Sequence, residues 1–285
     1  MVKVTLLLEN TSLFGKYLNS EHGFSAWVED GDKKILYDCG FSGKFIQNAI
    51  DLGIDLRTAD YVILSHAHRD HSGGMKHLLK WFDENGMYRK PTLIYTDDLI
   101  FNRIYNFKKN RQAGFDVSKE VLEKYFNIIV SPEPMWLTDN VCFMGKCERT
   151  NDYEHIVPQV AMRLVNGEYI PDVVEEDTQL CFKHADPEYC SVLAACAHYG
   201  ICNIMEYAKK LTGAKHIHTY LGGSHLRIDE VPQSQVDKTV EYVSRQNLQR
   251  FYICHDTDLH CKKALWNAVP DNSIEAGTGL VVEFE

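Results

Sequence analysis

Three histidines and one aspartate lie within six residues, at positions 66–71 of the segment LSHAHRDHSGGM. The segment follows the apolar run YVILS, which predicts a strand, and precedes apolar residues spaced as on one face of a helix. At the end of a strand, His66 and His68 project to the same side, and Asp70 and His71 follow one turn later. This spacing directs two pairs of ligands toward adjacent points.

Imidazole and carboxylate ligands in this arrangement favour zinc, iron or manganese over calcium or magnesium. Two divalent ions roughly 3.5 to 4 Å apart can hold a hydroxide between them, and such a hydroxide is a strong nucleophile at neutral pH. The alternative is a solvated turn in a chain with 13 histidines, where some pairs arise by chance. Four ligand types in six residues, between a strand and a glycine pair, favour the metal site.

Three distant histidines follow similar apolar segments and could complete the site. His198 lies in SVLAACAHYG, His255 lies in RFYICHDTD, and His225 follows a glycine pair in LGGSHL. Taken singly, each could equally be an ordinary hydrogen-bonded histidine. Together they supply the ligands that the first cluster lacks.

The composition predicts a folded, acidic protein. Of its 285 residues, 45% are apolar, and the net charge of -10 argues against a nucleic-acid partner, because phosphate binding requires a basic face. Nine cysteines without a C-x-x-C pair predict reduced, mostly buried thiols and no disulfide framework. No segment has the length and apolarity of a membrane span, and the N-terminus lacks a signal-peptide pattern, so we expect a cytoplasmic protein without a membrane partner.

Strand and helix patterns alternate along the chain without a low-complexity linker or a fixed repeat. They predict one α+β domain over residues 1–285 with a layered core. Residues at about 86–140 form a helical insert in which basic residues stand among aromatic ones, namely Arg103, Lys108, Lys109 and Arg111. This insert could be a lid over an anionic substrate, but its composition alone favours a solvated helical excursion.

The motif at positions 66–71 resembles the H-x-H-x-D-H signature of the metallo-β-lactamase superfamily. Further segments follow in the order of one branch, which includes dihydropterin-methyl-ribofuranosyl-aminobenzene-phosphate synthase: ENTS, EHGFSAWVE, ILYDCG, GKCERTNDYE, CAHYGICNI, LGGSHL and CHDTD. The resemblance covers nearly the whole chain. It implies an α+β fold of the αββα four-layer sandwich type, with a binuclear metal site at one edge of the sheets.

The resemblance also implies which residues bind the two divalent ions, with zinc favoured and iron or manganese as alternatives. The implied ligands are His66 and His68 for one ion, Asp70 and His71 for the other, and His198 and His255 to complete the two shells.

This chain departs from the superfamily pattern at two places. Where His198 stands, an aspartate that bridges the ions is usual, so the bridging ligand is open. Asp177 is a candidate substitute, although an exposed acidic turn is the favoured interpretation of residues 175–177. After His255, Asp256 stands where a cysteine is usual, and Asp258 stands where a glycine is usual.

Four residues are candidates for contacts with the substrate. Arg149 matches an arginine of the branch and would hold a phosphate or carboxylate, with a surface ion pair as the alternative. His225 would protonate a leaving group or bind phosphate. Asn10 and His22 lie in motifs similar to the branch and would approach the metals from the opposite strand, although Asn10 could equally cap a turn.

Three functions are consistent with these residues. The favoured one is a metal-dependent hydrolase in which a bridging hydroxide, oriented by Asp70, attacks an ester or phosphoester of an anionic small molecule. The second is a synthase or transferase that condenses a dihydropterin with a ribofuranosyl-aminobenzene phosphate at the same histidines. The third is a non-catalytic sensor of a metal or ligand, against which the intact motif argues. The sequence leaves the oligomeric state open.

Overall fold

The computed structural model describes residues 1–154 and 161–284. These residues form seventeen β-strands and seven α-helices. The strands are β1 (Val2–Leu8), β2 (Ser25–Asp30), β3 (Lys33–Tyr37), β4 (Tyr61–Ile63), β5 (Thr92–Tyr95), β6 (Ile104–Asn106), β7 (Arg111–Gln112), β8 (Asn127–Val130), β9 (Met135–Trp136), β10 (Val141–Phe143), β11 (Ala161–Val165), β12 (Glu168–Pro171), β13 (Leu180–Lys183), β14 (Tyr189–Ala194), β15 (His216–Gly222), β16 (Arg250–Ile253) and β17 (Val281–Phe284). The helices are α1 (Lys44–Asp51), α2 (Arg69–Ser72), α3 (Met75–Asn85), α4 (Lys119–Tyr125), α5 (Ile201–Thr212), α6 (Gln233–Arg245) and α7 (Leu259–Ala268).

The strands form two large mixed sheets and one small sheet. The first sheet has seven strands in the order β17-β1-β2-β3-β4-β5-β8, and the second has six in the order β16-β15-β14-β13-β10-β9. In the first sheet β3, β4, β5 and β8 are parallel, and in the second β14, β15 and β16 are parallel. The small sheet has the order β12-β11-β6-β7.

The two large sheets pack face to face over an apolar core. Val4 and Leu6 of β1 lie in one cluster with Phe143 of β10, Leu193 of β14 and Leu221 of β15, and all are buried. Residues on the opposite face of β1, such as Leu7, belong instead to the cluster beneath the helices. The alternation of side chains along a strand therefore lets one strand serve two layers.

Helices cover the outer face of each sheet. On the first sheet, Leu78 of α3 packs in one cluster with Leu36 of β3, and on the second sheet, Ile204 of α5 packs with Val192 of β14. The α3 pattern predicted from the sequence is confirmed, since its apolar residues are buried and the helix ends before Gly86, which has φ +75°. The predicted α+β class and αββα four-layer sandwich are thus confirmed.

The segment predicted as a helical insert, at about 86–140, contains strands as well as a helix. β5 and β8 belong to the seven-stranded sheet, and β6 and β7 form a hairpin of the small sheet. The helical residues of this segment are α4, of seven residues, and a short 3-10 helix at Asp98–Phe101. Lys108, Lys109 and Arg111 therefore stand on a β-hairpin, and Arg103 immediately precedes it.

Two further expectations concern the cysteines and the membrane. The nine cysteines are all buried free thiols, as predicted. Among the helices of the described residues, none combines the length and the apolar character needed to cross a membrane.

Candidate metal centre

The predicted ligands meet because they follow the carboxyl ends of strands in both large sheets. His66 follows β4 in the first sheet, whereas His198, His225 and His255 follow the parallel strands β14, β15 and β16 of the second. Side chains at the carboxyl ends of parallel strands converge on one edge of a sheet. Residues separated by almost two hundred positions in the chain are thereby brought into contact.

Close approaches of the backbone require glycine on both sides of this edge. A Cβ atom at Gly74, after the histidine motif, would lie 1.9 Å from the carbonyl oxygen of Cys39. A Cβ atom at Gly222, at the end of β15, would lie 1.7 Å from the carbonyl oxygen of Ala194 in β14, and Gly222 has φ +144°. The glycine pairs of the two motifs therefore let the ligand-bearing loops pack against their neighbours.

The predicted ligands form two adjacent sets. The ligand atoms of each set lie within 4.8 Å of one another, and the two sets are His66, His68 and His198, and Asp70, His71 and His255. In the first set, the Nε2 atoms of His66 and His198 are 3.3 Å apart. In the second, the Nε2 atoms of His71 and His255 are 3.1 Å apart, and Asp70 Oδ2 lies 3.6 Å from His255 Nε2.

Asp38 fixes the tautomers of His66 and His71. Its Oδ2 accepts hydrogen bonds from His71 Nδ1 at 2.8 Å and from Ser65 Oγ at 2.6 Å, while Ser65 Oγ accepts one from His66 Nδ1 at 2.8 Å. Both rings therefore turn an unprotonated Nε2 toward the cluster. Burial, and then the proximity of His71, lower the pKa of His66 well below its ordinary value, so the ring is neutral, as a metal ligand must be.

Asp172, which follows β12 in the small sheet, orients His68. Its Oδ2 accepts a hydrogen bond from His68 Nε2 at 2.9 Å, which turns Nδ1 toward the cluster. The buried guanidinium of Arg163 donates to Asp172 Oδ1 at 2.8 Å and also pairs with Glu176. Burial would raise the pKa of Asp172, but the bond with His68 and the charge of Arg163 lower it. Sequence reasoning missed both Asp172 and Arg163.

Asn10 and His22, two predicted substrate contacts, lie beside the second ligand set. Asn10 Oδ1 accepts hydrogen bonds from His255 Nδ1 at 2.9 Å and from Gly23 N at 3.2 Å, so it orients His255. His22 Nε2 lies 2.9 Å from Asp70 Oδ2, and the His22 side chain is 55% exposed. His22 therefore stands between the ligands and the solvent.

The charge of Asp70 is maintained by its histidine neighbours. Burial alone would raise the pKa of this carboxyl group, but His71 and the hydrogen bond from His22 hold it well below its usual range. The carboxylate is therefore ionised and presents an anionic oxygen to the second set.

A third group of side chains adjoins the first set. His225 lies with its ring centroid 4.3 Å from that of His198, and its Nδ1 forms a hydrogen bond to Asp256, which also pairs with Arg227. Burial would raise the pKa of Asp256, but His225 and Arg227 hold it well below its usual range. The departure from the family pattern at position 256 thus supplies a carboxylate that orients His225.

Asp177 is buried, so the expectation of an exposed acidic turn is wrong at this residue. Its Oδ2 accepts a hydrogen bond from His198 N at 2.9 Å, and its Oδ1 lies 3.6 Å from His66 Nδ1. Because Nδ1 is the nitrogen of His66 that faces away from His198 Nε2, Asp177 stands behind the ligands and not between the two sets. Burial raises the pKa of Asp177 well above its usual range.

The sulfur of Cys196 lies closer to the gap between the two sets. Its Sγ is within 4.8 Å of the ligand nitrogens of His66 and His71, and likewise of those of His198 and His225. Cys196 also donates a hydrogen bond to Asp256 Oδ2 at 3.3 Å. The sequence contained a signal for this residue, its place two positions before His198, but sequence reasoning did not use it.

The donor set fits two divalent cations. The facing Nε2 atoms are 3.3 Å apart in the first set and 3.1 Å apart in the second, a separation that one shared proton or one cation can bridge. Ligand atoms arranged tetrahedrally around zinc at about 2.1 Å are separated by about 3.4 Å, which agrees with these distances. The neutral His66 ring and the ionised Asp70 carboxylate are in the forms that bind such ions.

Arg149 lies apart from the ligands. Its exposed guanidinium lies over the ring of Tyr199 at 4.5 Å from the centroid and donates a hydrogen bond to the carbonyl oxygen of Glu154 at 3.0 Å. Among the described residues Arg149 forms no surface ion pair, and its acidic neighbours Glu148 and Asp152 pair with Lys210 and Lys238. The guanidinium thus contacts Tyr199, the residue that follows His198 in the sequence.

A cavity of about 510 Å³ opens onto the predicted ligands. His22, His68 and Asp70 form part of its wall. Other walls carry basic residues of the β6–β7 hairpin and Arg227. Arg149 does not belong to the described lining of this cavity. The cavity therefore connects the hairpin and Arg227 with His22, His68 and Asp70.

Comparisons with known proteins agree with this geometry. The family model of the metallo-beta-lactamase superfamily matches residues 20–146. An uncharacterized protein of Methanocaldococcus jannaschii is 29% identical over 90% of both chains. The 7,8-dihydropterin-6-methyl-4-(beta-D-ribofuranosyl)-aminobenzene-5'-phosphate synthase of the same organism is 23% identical over 99% of this chain and 97% of its own.

A solved structure is similar over the entire chain. The crystal structure of a metal-dependent hydrolase of the beta-lactamase superfamily superposes with a TM-score of 0.81, at 24% identity, and the match covers 100% of both chains. This likeness agrees with the four-layer fold, and the family model covers the segment that carries the histidine motif. The comparisons therefore show a match to the metallo-β-lactamase superfamily over residues 20–146 and a shared fold over the whole chain.

Proposed function

We propose that the protein is a hydrolase with a binuclear metal site that acts on an ester or phosphoester of an anionic small molecule. The observation that carries the proposal is the presence of two facing pairs of imidazole nitrogens, 3.1 and 3.3 Å apart, beside an ionised carboxylate. A cavity of about 510 Å³ suits a small molecule. The net charge of -10 supports a small substrate over a nucleic acid.

In this proposal each ligand set holds one ion, with zinc favoured. His66, His68 and His198 would hold the first, and Asp70, His71 and His255 would hold the second. Bound divalent ions would supply Lewis acidity and lower the pKa of a coordinated water toward neutrality. The residues that orient the ligands, such as Asp38 and Asp172, would keep each donor atom aimed at its ion.

Two side chains would act on the reacting atoms. Asp70 would accept a hydrogen bond from the attacking water and orient it, since its carboxylate is ionised and lies at the cavity wall. His225, held by Asp256 through Nδ1, would donate a proton from Nε2 to the leaving-group oxygen. His22 would contact the substrate at the mouth of the cavity, and Arg149 is a candidate contact for a longer substrate that extends toward Tyr199.

A second candidate is a synthase or transferase acting on a dihydropterin and a ribofuranosyl-aminobenzene phosphate. The observation that favours it is the likeness to the synthase of Methanocaldococcus jannaschii over 99% of this chain. At 23% identity, that likeness does not by itself define the reaction. The same histidines would serve either chemistry.

The test combines metal analysis with turnover. We expect the purified protein to bind about two zinc ions per chain and to hydrolyse p-nitrophenyl esters or phosphoesters. Chelation should abolish turnover, and added zinc should restore it. The variant His68→Ala should lose one ion and at least about 100-fold in kcat/KM.

The matched control is His260→Ala, which removes an exposed histidine from α7. It should keep both the metal content and the activity. Full turnover after chelation, or an active His68→Ala variant with two ions, would contradict the proposal. Condensation of a dihydropterin pyrophosphate with the aminobenzene partner, without ester turnover, would favour the second candidate.

A further inference from the structure

The hairpin of β6 and β7 forms one wall of the cavity that contains the metal ligands. Its side chains Lys108, Lys109 and Arg111 line the same cavity as His68 and Asp70. The hairpin therefore faces the reaction site, although its composition alone favours a solvated excursion. Three cations stand where a substrate enters.

These three cations have no acidic partner among the described residues. No Asp or Glu occurs from position 99 to position 115 of the sequence. The other cavity cations differ, because Arg69 pairs with Asp116 and Arg227 pairs with Asp256 and Glu230. In a chain with a net charge of -10, an uncompensated group of three positive charges marks a site for an anion.

The turn of the hairpin is held in a fixed shape. Tyr105 Oη donates a hydrogen bond to Asn110 Oδ1 at 2.6 Å, and Lys109 N donates one to Asn106 Oδ1 at 2.9 Å. The ring of Phe107 packs against Tyr105 and Tyr169, with centroids 4.9 and 5.2 Å apart. A fixed turn loses little conformational freedom when its charged side chains bind a ligand.

The hairpin is also tied to the metal motif. Arg69 N, which follows His68, donates a hydrogen bond to the carbonyl oxygen of Ala113 at 2.8 Å. Ala113 N in turn donates one to the carbonyl oxygen of Ile104 at 2.9 Å. The backbone of the hairpin is therefore attached to the backbone of the histidine motif.

We propose that the β6–β7 hairpin binds a second anionic group of the substrate, a phosphate that lies away from the scissile bond. This inference rests on the proposed hydrolase function. It defines the substrate class as a small molecule with an ester or phosphoester at the metal ligands and a phosphoryl group at Lys108, Lys109 and Arg111. Lysine and arginine donors match phosphate oxygens, and Arg111 can bind two of them at once.

The experiment compares two substrates that share one scissile bond. The p-nitrophenyl ester of thymidine 5'-phosphate and the same ester with an added 3'-phosphate differ only in the second anionic group. The preference is the ratio of their kcat/KM values. We expect the wild-type protein to prefer the phosphorylated ester by about tenfold, mainly through KM, and to lose that preference as the ionic strength rises.

The triple variant K108Q/K109Q/R111Q should abolish the preference. The control variant K80Q/K124Q/K263Q removes the same number of charges from exposed positions outside the cavity lining and should keep it. Thermal unfolding of both variants checks that each is folded. A preference unchanged in the hairpin variant, or lost equally in the control, would overturn the proposal.

A binding measurement separates this proposal from the hydrolase proposal. Calorimetry with thymidine 3',5'-bisphosphate and thymidine 5'-monophosphate requires no turnover. Tighter binding of the bisphosphate that disappears in the hairpin variant, with neither ester hydrolysed, would support the anion site and contradict the hydrolase. Equal binding of the two nucleotides by the wild-type protein would contradict the anion site, whatever the turnover.

Discussion

Around the candidate metal centre, several residues other than glycine adopt left-handed backbone conformations. They are Asp38, Ala197, His225 and Asp256, with φ values of 59°, 65°, 50° and 51°. Such a conformation costs roughly 1 to 2 kcal/mol for most residues, and aspartate tolerates it better than alanine. The packing of two sheets onto one edge holds these residues in place. Strain gathered at one site is typical of a functional centre.

The role of Asp172 gives the first prediction. Replacing it with asparagine removes the anionic acceptor for His68 Nε2, so the tautomer that directs Nδ1 to the first ligand set is no longer favoured. We expect Asp172→Asn to weaken zinc binding at that site by about 10- to 100-fold, measured by competition with a chromophoric chelator. The control is Asp152→Asn, whose side chain is 92% exposed. Wild-type affinity in Asp172→Asn would show that Asp172 does not position the ligand.

Asp256 gives the second prediction, which concerns proton transfer through His225. In Asp256→Asn, His225 loses the carboxylate that orients its ring. Its Nε2 should then no longer be directed at the leaving-group oxygen. We expect kcat to fall by about 100-fold for a phosphoester with an alkyl leaving group, but only a few-fold for p-nitrophenol, which leaves without protonation.

Because Asp256 is adjacent to the ligand His255, the zinc content of this variant must be measured alongside. Equal losses for both leaving groups, at full zinc content, would argue that Asp256 has only a structural role.

At the residue scale, the sequence predicted which side chains converge but not the residues that orient them. Four of the six predicted ligands share a dense local motif, and His198 and His255 follow apolar strand patterns. His68 and Asp172, by contrast, are 104 residues apart, and Asp172 follows a strand of the small sheet with no motif of its own. Such contacts depend on how strands pair, which the local pattern does not encode.

The glycines at the strand ends act at the scale of the elements. Gly222 closes β15 against β14, and a Cβ atom there would lie 1.7 Å from the carbonyl oxygen of Ala194. We expect Gly222→Ala to lower the free energy of unfolding by more than about 2 kcal/mol, because the two strands would have to separate. Chemical denaturation measures the loss.

The comparison variant for this test is Gly53→Ala. Gly53 also has a positive φ, of 73°, but nothing lies within 4 Å of the added Cβ. At Gly53 the only cost of an alanine is its left-handed backbone conformation. The expected loss in the free energy of unfolding is therefore about 1 kcal/mol. Similar losses at both positions would mean that the close approach of β14 and β15 is not what requires glycine.

Elements with a strong apolar pattern were predicted from the sequence, and elements without one were not. The α3 helix buries four apolar residues on one face, whereas α7 buries only Cys261 and Leu265. The strands of the cationic hairpin, β6 and β7, have three and two residues, too few to show an alternation. Their place over the cavity follows from pairing with β11, which lies about fifty residues further along the chain.

At the scale of the whole molecule, the candidate centre joins parts of the chain that are otherwise distant. Its ligands come from both large sheets, and Asp172 connects them to the small sheet. An apolar core packs the two large sheets against each other. A bound ion would add a further connection between the sheets, because it would attach the loop after β4 to the loops after β14 and β16.

Metal removal therefore tests the link between the site and the stability of the fold. A ligand that binds only the folded state adds RT ln(1 + [L]/Kd), which is about 4 kcal/mol when free zinc exceeds Kd by 1,000-fold. For a chain of this size, we expect chelation to lower Tm by about 5 to 15 °C, measured by scanning calorimetry. The double variant His68→Ala/His71→Ala, which lacks a ligand in each set, should unfold at nearly the same temperature with and without chelator. If wild-type Tm is insensitive to chelation while zinc is demonstrably released, the ligand loops are held by the surrounding packing alone, and the ions would have no structural role.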